Sequence, residues 1–348
     1  MTRQDHASPG MTPEPNGQTV FVETSARLHF GLLDLRGTLG RVFGGIGAGA
    51  PAPTLLVSAC PADALEVGGE DADRAAEFAS RFLAQIGPRK DAGNVGGARV
   101  CVHRALPAHA GLGSGTQLAL AVARALAEIH GVTMDAPGLA RAVGRARRSA
   151  IGTWTFAGGG LVLEGGRPSH ARDGVAPLLA RLPFPPSWRC VVAVPSSAPG
   201  MTGAAEEEAF AHLPPPPERD AERVAHLVLM ALLPALAEAD LATFGAALSA
   251  IQAITGRWFA PVQAGIFAPG PSEELVRRMA EWGASGVGQS SWGPAVYGIV
   301  DGEDAGLRLA ERVRALSATL GAAGSVYEGP FRTDGARVWR ARAHGAAL

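Results

Sequence analysis

A glycine-rich segment near residue 110 has the composition of a phosphate-binding loop. Residues 107–116 read Pro-Ala-His-Ala-Gly-Leu-Gly-Ser-Gly-Thr, between a predicted strand and a predicted helix. Glycines let the backbone turn tightly and approach a ligand closely, and the start of a helix offers amide donors at the positive end of its dipole. Phosphate or diphosphate is therefore expected at Gly111, Leu112, Gly113, Ser114, Gly115 and Thr116. The alternative is a tight turn that binds nothing.

The spacing of this segment excludes two common nucleotide-binding motifs. The Lys-Ser/Thr ending of a Walker loop is missing, and the glycine spacing does not match the dinucleotide fingerprint. Lys90 is the only lysine in the chain. An anion site must therefore rely mainly on arginine guanidinium groups and backbone amides.

A second polar segment, residues 25–34, reads Ser-Ala-Arg-Leu-His-Phe-Gly-Leu-Leu-Asp. We expect a strand to end here, so that three polar side chains meet near one glycine turn. Arg27 is suited to binding an anion, His29 to donating or moving a proton, and Asp34 to binding a metal or orienting a neighbour. Taken singly, each of the three is more often a surface residue or a satisfied core partner.

A third segment combines glycines with an amide, two hydroxyls and an indole. Residues 283–294 read Gly-Ala-Ser-Gly-Val-Gly-Gln-Ser-Ser-Trp-Gly-Pro and lead into a predicted strand. The polar side chains indicate a neutral recognition surface, on which Trp292 is placed to stack against an aromatic ring. The alternative is a packed turn with a core tryptophan.

Two charged runs complete the set of candidate site residues. Arg145, Arg147 and Arg148 lie at the predicted end of a helix, where they form either a solvated face or a clamp for a polyanion. The glycine and threonine that follow them favour the clamp. Residues 206–208 are three glutamates, which are typical of a solvated helix start, although one of them is suited to holding a cation that bridges to diphosphate.

The composition excludes several classes of function. The net charge is −1, so no basic excess indicates nucleic acid, and no polybasic run indicates a membrane surface. No apolar run approaches the roughly 18 to 20 residues that span a bilayer. The first 19 residues are polar and predict a flexible tail rather than a signal peptide. Three widely spaced cysteines fit a reducing cytoplasm.

Helical and strand periodicities along the chain predict an α+β fold with two lobes. Helices are expected at 71–86, 116–130, 137–149, 222–238, 240–252, 273–282 and 303–320. Strands are expected at 21–26, 53–60, 98–106, 158–164, 189–195, 294–300 and 325–331. The predicted division is a tail over 1–19, an N-terminal lobe with the phosphate loop over 20–186, a C-terminal α+β lobe over 187–335 and a second tail over 336–348.

The first three segments together resemble the GHMP kinase superfamily. Its signature is a strand with a basic residue near its start, a central Pro-x-x-x-Gly-Leu-Gly-Ser-Ser-like phosphate loop and a glycine-rich block near the end. The resemblance implies a two-lobed fold, with a ribosomal-protein-S5-like N-terminal lobe and a ferredoxin-like C-terminal lobe. These kinases commonly carry an aspartate base in a Ser-Gly-x-Asp stretch, whereas Ser-Ala-Ile-Gly-Thr at 149–153 has no carboxylate.

A narrower resemblance is to the beta-ribofuranosylaminobenzene 5'-phosphate synthase family. It rests on Ala-Arg-Leu-His-Phe-Gly-Leu-Leu-Asp-Leu at 26–35, Gly-Gly-Ile-Gly at 44–47, Arg-Arg-Ser-Ala-Ile-Gly-Thr at 147–153 and Gly-Gln-Ser-Ser-Trp-Gly-Pro at 288–294. The family condenses phosphoribosyl diphosphate with 4-aminobenzoate or 4-hydroxybenzoate. It releases carbon dioxide and diphosphate, on the way to methanopterin-type carriers. Such a reaction needs no strong base, which agrees with the missing aspartate.

The resemblance also implies roles for single residues. The expected catalytic residues are Arg27, His29, Asp34 and Arg148, and Arg147 joins the phosphate loop. The expected aromatic-substrate residues are Gln289, Ser290, Ser291, Trp292 and Thr153, and the expected metal ligand is Glu207. Mg²⁺ is expected to bind with phosphoribosyl diphosphate. The expected partners are small molecules and a second copy of the chain in a homodimer, with no nucleic acid and no membrane.

Two other functions are compatible with the same residues. One is an ATP-dependent small-molecule kinase of the same superfamily, against which the missing carboxylate near residues 152–153 counts. The other is a non-catalytic sensor that binds a phosphorylated sugar. ATP binding would favour the kinase, and turnover would exclude the sensor.

Overall fold

The computed structural model describes residues 18–87, 97–170, 174–196 and 203–342. These residues form two β-sheets with helices packed against them. The predicted α+β class with two lobes is confirmed. The chain passes from the first sheet to the second between residues 182 and 188. Within the described residues, no helix is both long and apolar enough to cross a membrane.

The first sheet is built around a long hairpin. Its strands are β1 (Gln18–Asp34), β2 (Arg41–Ala62), β3 (Glu66–Gly69), β4 (Gly97–Arg104), β5 (Leu161–Glu164), β6 (Arg167–Pro168), β7 (Leu178–Leu182) and β12 (Arg337–Arg342). The main strand order is β12-β1-β2-β4-β3, and β5 and β6 pair with the other end of β2. Alternate residues of β1 are buried, from Val20 to Leu32, so one face of the strand is committed to the core.

Four helices cover this sheet and bring the phosphate loop into place. They are α1 (Ala72–Ile86), α2 (Ser114–Ile129), α3 (Ala136–Ala142) and α4 (Ile151–Gly158). The helix predicted at 116–130 is confirmed as α2, and its Leu118, Val122, Ala125 and Leu126 side chains are buried. Since α2 is packed on several sides, its N-terminus is held rigidly where the loop begins.

The second sheet is antiparallel and carries the remaining helices. Its strands, in the order β11-β8-β10-β9, are β8 (Trp188–Val194), β9 (Gly286–Gln289), β10 (Val296–Asp301) and β11 (Ser325–Pro330). The helices are α5 (Gly203–His212), α6 (Glu218–Leu227), α7 (Leu233–Ala237), α8 (Leu241–Gln263), α9 (Pro271–Glu281) and α10 (Glu303–Thr319), with a π-helical turn at Val228–Leu232. The two lobes share one apolar core: the Phe30 ring lies 5.0 Å from that of Tyr297.

The strand predicted at 21–26 is longer than expected, and this changes the geometry of the second polar segment. β1 continues to Asp34, and β2 begins at Arg41. The glycines of residues 44–49 belong to β2, and some of these positions must be glycine because there is no room for a side chain. A Cβ atom on Gly47 would lie 2.4 Å from the carbonyl oxygen of Leu28 and 2.5 Å from a methyl carbon of Ile151. Glycine richness here indicates close packing of α4 on the sheet.

Two further expectations are wrong. The helix predicted at 137–149 ends at Ala142, and Gly144 turns the chain with a φ of 69°. The tail predicted at 336–348 includes β12, which pairs with β1 from Arg337 to Arg342 and stacks Trp339 on Phe21 at 5.5 Å. Residues 343–348 and most of the predicted N-terminal tail lie outside the described residues.

Removal of residues 336–348 is expected to lower the free energy of unfolding by about 2 kcal/mol, because β1 loses a strand partner and Phe21 loses its ring contact. Chemical denaturation of the truncated chain measures this loss. A chain that lacks only residues 343–348 is the control and is expected to unfold like the full chain. Equal stability of all three chains would contradict a structural role for β12.

Candidate functional site

The predicted phosphate loop lies at the N-terminus of α2, as the sequence indicated. Gly113 is the N-cap residue in a left-handed conformation and offers no side chain to cap the helix. The amide of Thr116 donates to the carbonyl of Gly113 at 3.0 Å, which leaves the amides of Ser114 and Gly115 to a ligand or to water, at the positive end of the helix dipole. An anion is the ligand that such a terminus favours.

Glycine is required at two positions of the loop. Gly111 and Gly113 have φ angles of 75° and 74°. A Cβ atom on Gly111 would lie 2.2 Å from the carbonyl oxygen of Ser290, and one on Gly113 would lie 2.8 Å from the Cγ atom of Arg27. The loop is therefore pressed between β1 and the turn that follows β9.

Arg27 holds the loop from beneath. Its backbone amide donates to the carbonyl of Leu112 at 3.0 Å, and its Nη1 donates to the carbonyl of Gly111 at 2.6 Å. Burial lowers the pKa of Arg27 to about 10, and the negative charge of Glu206 opposes this shift. Arg27 is still a cation at neutral pH, so it adds positive charge directly under the expected anion.

Ser290 connects three of the predicted segments. Its hydroxyl donates to the carbonyl of Gly111 at 2.6 Å and accepts from the amide of His29 at 2.9 Å. The side chain is fully buried, so neither bond competes with water. Ser290 therefore sets the position of the loop relative to β1, which is a different role from the predicted contact with an aromatic substrate.

Of the remaining residues of the third segment, Gln289 and Ser291 line the cleft beside His29, and Trp292 is used for packing. The backbone amide of Gln289 donates to the side-chain oxygen of Gln252 at 2.8 Å, and the side-chain oxygen of Gln289 accepts from the backbone amide of Ala268 at 2.7 Å. Trp292 is 5% exposed, and its ring stacks on Phe259 at 4.3 Å. Because the face of the indole is covered, the structure does not present Trp292 to a ligand; the packed-turn alternative describes it better.

His29 lines a small open cleft between β1, α8 and β9. Thr255, Phe259 and Ser291 also line the cleft. Burial, and then the charge of Arg27, lower the pKa of His29 to about 3. The imidazole is therefore neutral at ordinary pH and can either donate or accept a hydrogen bond.

The arginines after α3 are arranged differently from the expectation. Arg147 is exposed, whereas Arg145 lies across the loop, with its Nη2 3.0 Å from where a Cβ of Gly115 would be. Arg148 donates to Glu206 at 2.7 Å. Arg145 therefore takes the position that we expected for Arg147. Because α3 ends early and Ala146 has a φ of 65°, the helical spacing of the run did not show which arginine faces the loop.

Two other predicted residues lie apart from the loop or are not directed at it. Asp34 accepts hydrogen bonds from the backbone amides of Arg36 and Gly37 and so caps a turn. It lies seven residues further along β1 than Arg27, which is about 20 Å in an extended strand. The side chain of Glu207 is exposed. Among the described residues, no group of three His, Cys, Asp or Glu side chains is placed to hold a metal.

Thr153 lies in the first turn of α4, next to the loop. Its neighbour Gly152 approaches Thr116, with 3.0 Å between a Cβ placed on the glycine and the threonine methyl carbon. Thr153 is fully buried, and its hydroxyl has no hydrogen-bond partner within the described structure. The N-termini of α2 and α4 therefore meet at the same place, where the superfamily resemblance would put an aspartate.

Glu164 is a buried carboxyl group that the sequence did not single out. It accepts from the amide of Gly166 at 2.7 Å and from that of Ala150 at 3.4 Å. Burial raises the pKa of Glu164 to about 7, although the two backbone hydrogen bonds and the charge of Arg41 oppose the shift. Its place in β5, directly before a glycine pair, was the one available signal.

The chain matches two family descriptions, one for each lobe. Residues 74–159 match the GHMP kinases N terminal domain, and residues 232–318 match the GHMP kinases C terminal domain. Among solved structures, a homoserine kinase from Cytophaga hutchinsonii is similar with a TM-score of 0.64 at 16% identity, over 95% of this chain and all of that one. At this identity the likeness shows the fold alone.

Curated relatives are closer in sequence. A beta-ribofuranosylphenol 5'-phosphate synthase from Archaeoglobus fulgidus is 36% identical over 297 residues, which are 82% of this chain and 89% of that protein. A protein of the same name from Methanothermobacter thermautotrophicus is 35% identical over 302 residues, which are 81% of this chain and 89% of that protein. The similarity therefore extends over both lobes.

Substitution of Ser290 by alanine is expected to lower the free energy of unfolding by about 1–3 kcal/mol, because it removes a buried hydroxyl that satisfies the His29 amide. Chemical denaturation measures the change. Ser325→Ala, at an exposed position, is the matched control and is expected to stay within about 0.5 kcal/mol. Equal effects of the two substitutions would show that the Ser290 bridge is unimportant.

Glu164→Gln is expected to alter how stability depends on pH. The folded-state pKa of Glu164, about 7, lies above its ordinary value of 4.5, so the folded chain holds the proton more tightly. Its contribution to stability is complete below about pH 4.5 and is lost as the pH rises through 7, by up to about 3 kcal/mol in all. The glutamine variant resembles the protonated form and lacks this loss.

Denaturation of both proteins between pH 5 and 8 gives the difference directly. The lowered pKa of His29 acts with the opposite sign, because its contribution to stability is lost as the pH falls. His29 is present in both proteins, so the difference between their pH curves reports the charge at position 164, including its effect on the nearby His29. Parallel pH curves for the wild type and the variant would rule out a buried carboxyl with a raised pKa.

Proposed function

The chain belongs to the beta-ribofuranosylphenol 5'-phosphate synthase family, and from this membership we propose that it joins phosphoribosyl diphosphate to an aromatic acid with loss of carbon dioxide. The anomeric carbon loses diphosphate and forms a bond to the ring carbon that bears the carboxylate. That carbon then loses carbon dioxide, and the electron pair of the broken bond restores the aromatic ring. The product is a ribofuranosyl-arene 5'-phosphate, for tetrahydromethanopterin biosynthesis.

The observation that carries the proposal is the cationic phosphate loop. Its amides lie at the start of α2, the Arg27 guanidinium lies beneath it, and Arg145 lies across it. Loss of diphosphate leaves positive charge at the ribose carbon and negative charge on the leaving group. Fixed donors and cations at the loop stabilise that developing negative charge without having to reorganise.

Magnesium is proposed as part of the substrate, bound to its diphosphate. Mg²⁺ in proteins commonly has one or two protein ligands and takes the others from phosphate oxygens and water. The hydroxyls of Ser114 and Thr116 stand at the loop and fit such a role, so the proposal does not require the exposed Glu207. The bound ion would add positive charge at the leaving group.

The cleft beside His29 is the place that we propose for the aromatic acid. It adjoins the loop through Ser290, which contacts both His29 and Gly111. A neutral imidazole is suited to a hydroxyl or an amino group on the ring, because it can accept from either one. The names of the curated relatives specify a phenol product, which favours 4-hydroxybenzoate over 4-aminobenzoate.

The kinase alternative is weaker at one specific position. A kinase commonly uses a carboxylate to activate the attacking hydroxyl, and α4 offers Gly152 and Thr153 where the superfamily resemblance would place it. The ring carbon that forms the new bond bears a carboxylate instead of a hydrogen, so the proposed reaction needs no base to remove a proton from it. A homodimer, a cytoplasmic location and a restriction to small-molecule substrates stay predictions.

The proposal predicts carbon dioxide release that requires both substrates. The protein is incubated with Mg²⁺, phosphoribosyl diphosphate and 4-hydroxybenzoate or 4-aminobenzoate labelled at the carboxyl carbon, and released label is counted. Label is expected above the background of reactions that lack either substrate, and the acid that releases more label identifies the preferred ring substituent. No release with either acid, together with ATP consumption on a sugar or an alcohol, would establish the kinase instead.

A further inference from the structure

A carboxylate lies among the arginines at the loop. The Glu206 side chain, in the first turn of α5, accepts a hydrogen bond from Arg148 at 2.7 Å. Burial lowers the pKa of Arg27, and the charge of Glu206 opposes this shift. Burial and the neighbouring arginines lower the pKa of Arg145, and the charges of Glu77 and Glu206 oppose this shift. Glu206 thus acts electrostatically on all three guanidinium groups.

These arginines have more hydrogen-bond donors than one carboxylate can satisfy. Within the described structure, the Nη1 atom of Arg148 and the Nε atom of Arg145 are buried without a partner. Arginine presents five donors, and a buried donor without a partner is costly. The arrangement is therefore suited to an anion with more oxygen atoms than a carboxylate, such as a diphosphate.

The same face of α5 reaches the site at a second point. Phe210 lies one helical turn after Glu206, so both side chains point the same way. The Phe210 ring packs against Trp292 at 5.5 Å, and the Arg148 guanidinium lies 5.3 Å from its centre. Arg148 is therefore held between an apolar ring and a carboxylate, both supplied by α5.

We propose that Glu206 occupies the position of the substrate's diphosphate, and that Arg145 and Arg148 bind the diphosphate when it displaces this carboxylate. The proposal rests on the proposed function for the identity of the natural ligand. It assigns Arg148, together with Arg145, to the diphosphate and makes Glu206 a competitor of the substrate. Since the Arg148 donor cannot serve both anions at once, binding requires the Arg148–Glu206 ion pair to open.

The test is the affinity of the protein for inorganic diphosphate, measured by titration calorimetry. Glu206→Gln removes the competing charge and keeps the shape of the side chain, so binding is expected to tighten about tenfold. Glu208→Gln makes the same change of charge at an exposed position of the same helix and is expected to alter binding less than about twofold. Thermal unfolding of each variant verifies that it is folded.

A second pair of variants tests the arginine. Arg145→Gln is expected to weaken diphosphate binding about tenfold, whereas Arg141→Gln, at an exposed position of α3, is expected to leave it within about twofold. Unchanged or weaker binding by Glu206→Gln would overturn the proposal; weaker binding only when Mg²⁺ is present would make Glu206 a metal ligand instead. Equal effects of the two arginine substitutions, or no binding of diphosphate to the wild type, would also overturn it.

This experiment separates the further inference from the proposed function. Inorganic diphosphate shares its chemistry with phosphoribosyl diphosphate and with ATP, so its binding does not depend on which reaction the protein performs. Absence of carbon dioxide release with tighter binding by Glu206→Gln would refute the transferase and keep the competition. Carbon dioxide release with unchanged diphosphate binding by Glu206→Gln would keep the transferase and refute the competition.

Discussion

The carbonyl oxygen of Gly111 is the point on which the site depends. It accepts from the Arg27 guanidinium and from the Ser290 hydroxyl, and these two side chains belong to segments 263 residues apart. A carbonyl oxygen has two lone pairs, and here both are used. The loop is thereby fixed between the two lobes before any ligand arrives. Such fixed geometry is what electrostatic stabilisation of a leaving group requires.

Burial of ionisable groups follows from this arrangement. Arg27 and His29 project from β1 into a region covered by the loop and by α8, and burial lowers the pKa of both. Arg27 stays charged because its ordinary pKa is very high, whereas His29 becomes a neutral hydrogen-bonding group. One physical cause thus gives a cation under the expected diphosphate and a neutral donor or acceptor beside the cleft.

The sequence predicted the local features better than the distances between them. The α2 helix and the phosphate loop were predictable because helical period and glycine spacing are local properties. The length of β1 was not, because the glycines of β2 permit close packing by a distant helix, α4. The position of Arg145 at the loop and the burial of Glu164 were missed for a similar reason. Which arginine faces the loop depends on where α3 ends, and the environment of Glu164 depends on segments that meet only in the fold.

The residues of α4 include no carboxylate, and Glu164, which accepts from the amide of the N-cap residue Ala150, has a pKa that burial raises to about 7; this connects the fold to the type of reaction. In a kinase the protein must help a hydroxyl to lose its proton, so a base close to the phosphate loop is useful. In the proposed transfer, the nucleophile is a ring carbon whose substituent leaves as carbon dioxide, and a carboxylate beside a departing diphosphate would add electrostatic repulsion. Thr153 at this place is small and uncharged. A phosphate-binding fold with neutral side chains at α4 is therefore better suited to releasing diphosphate than to activating a hydroxyl.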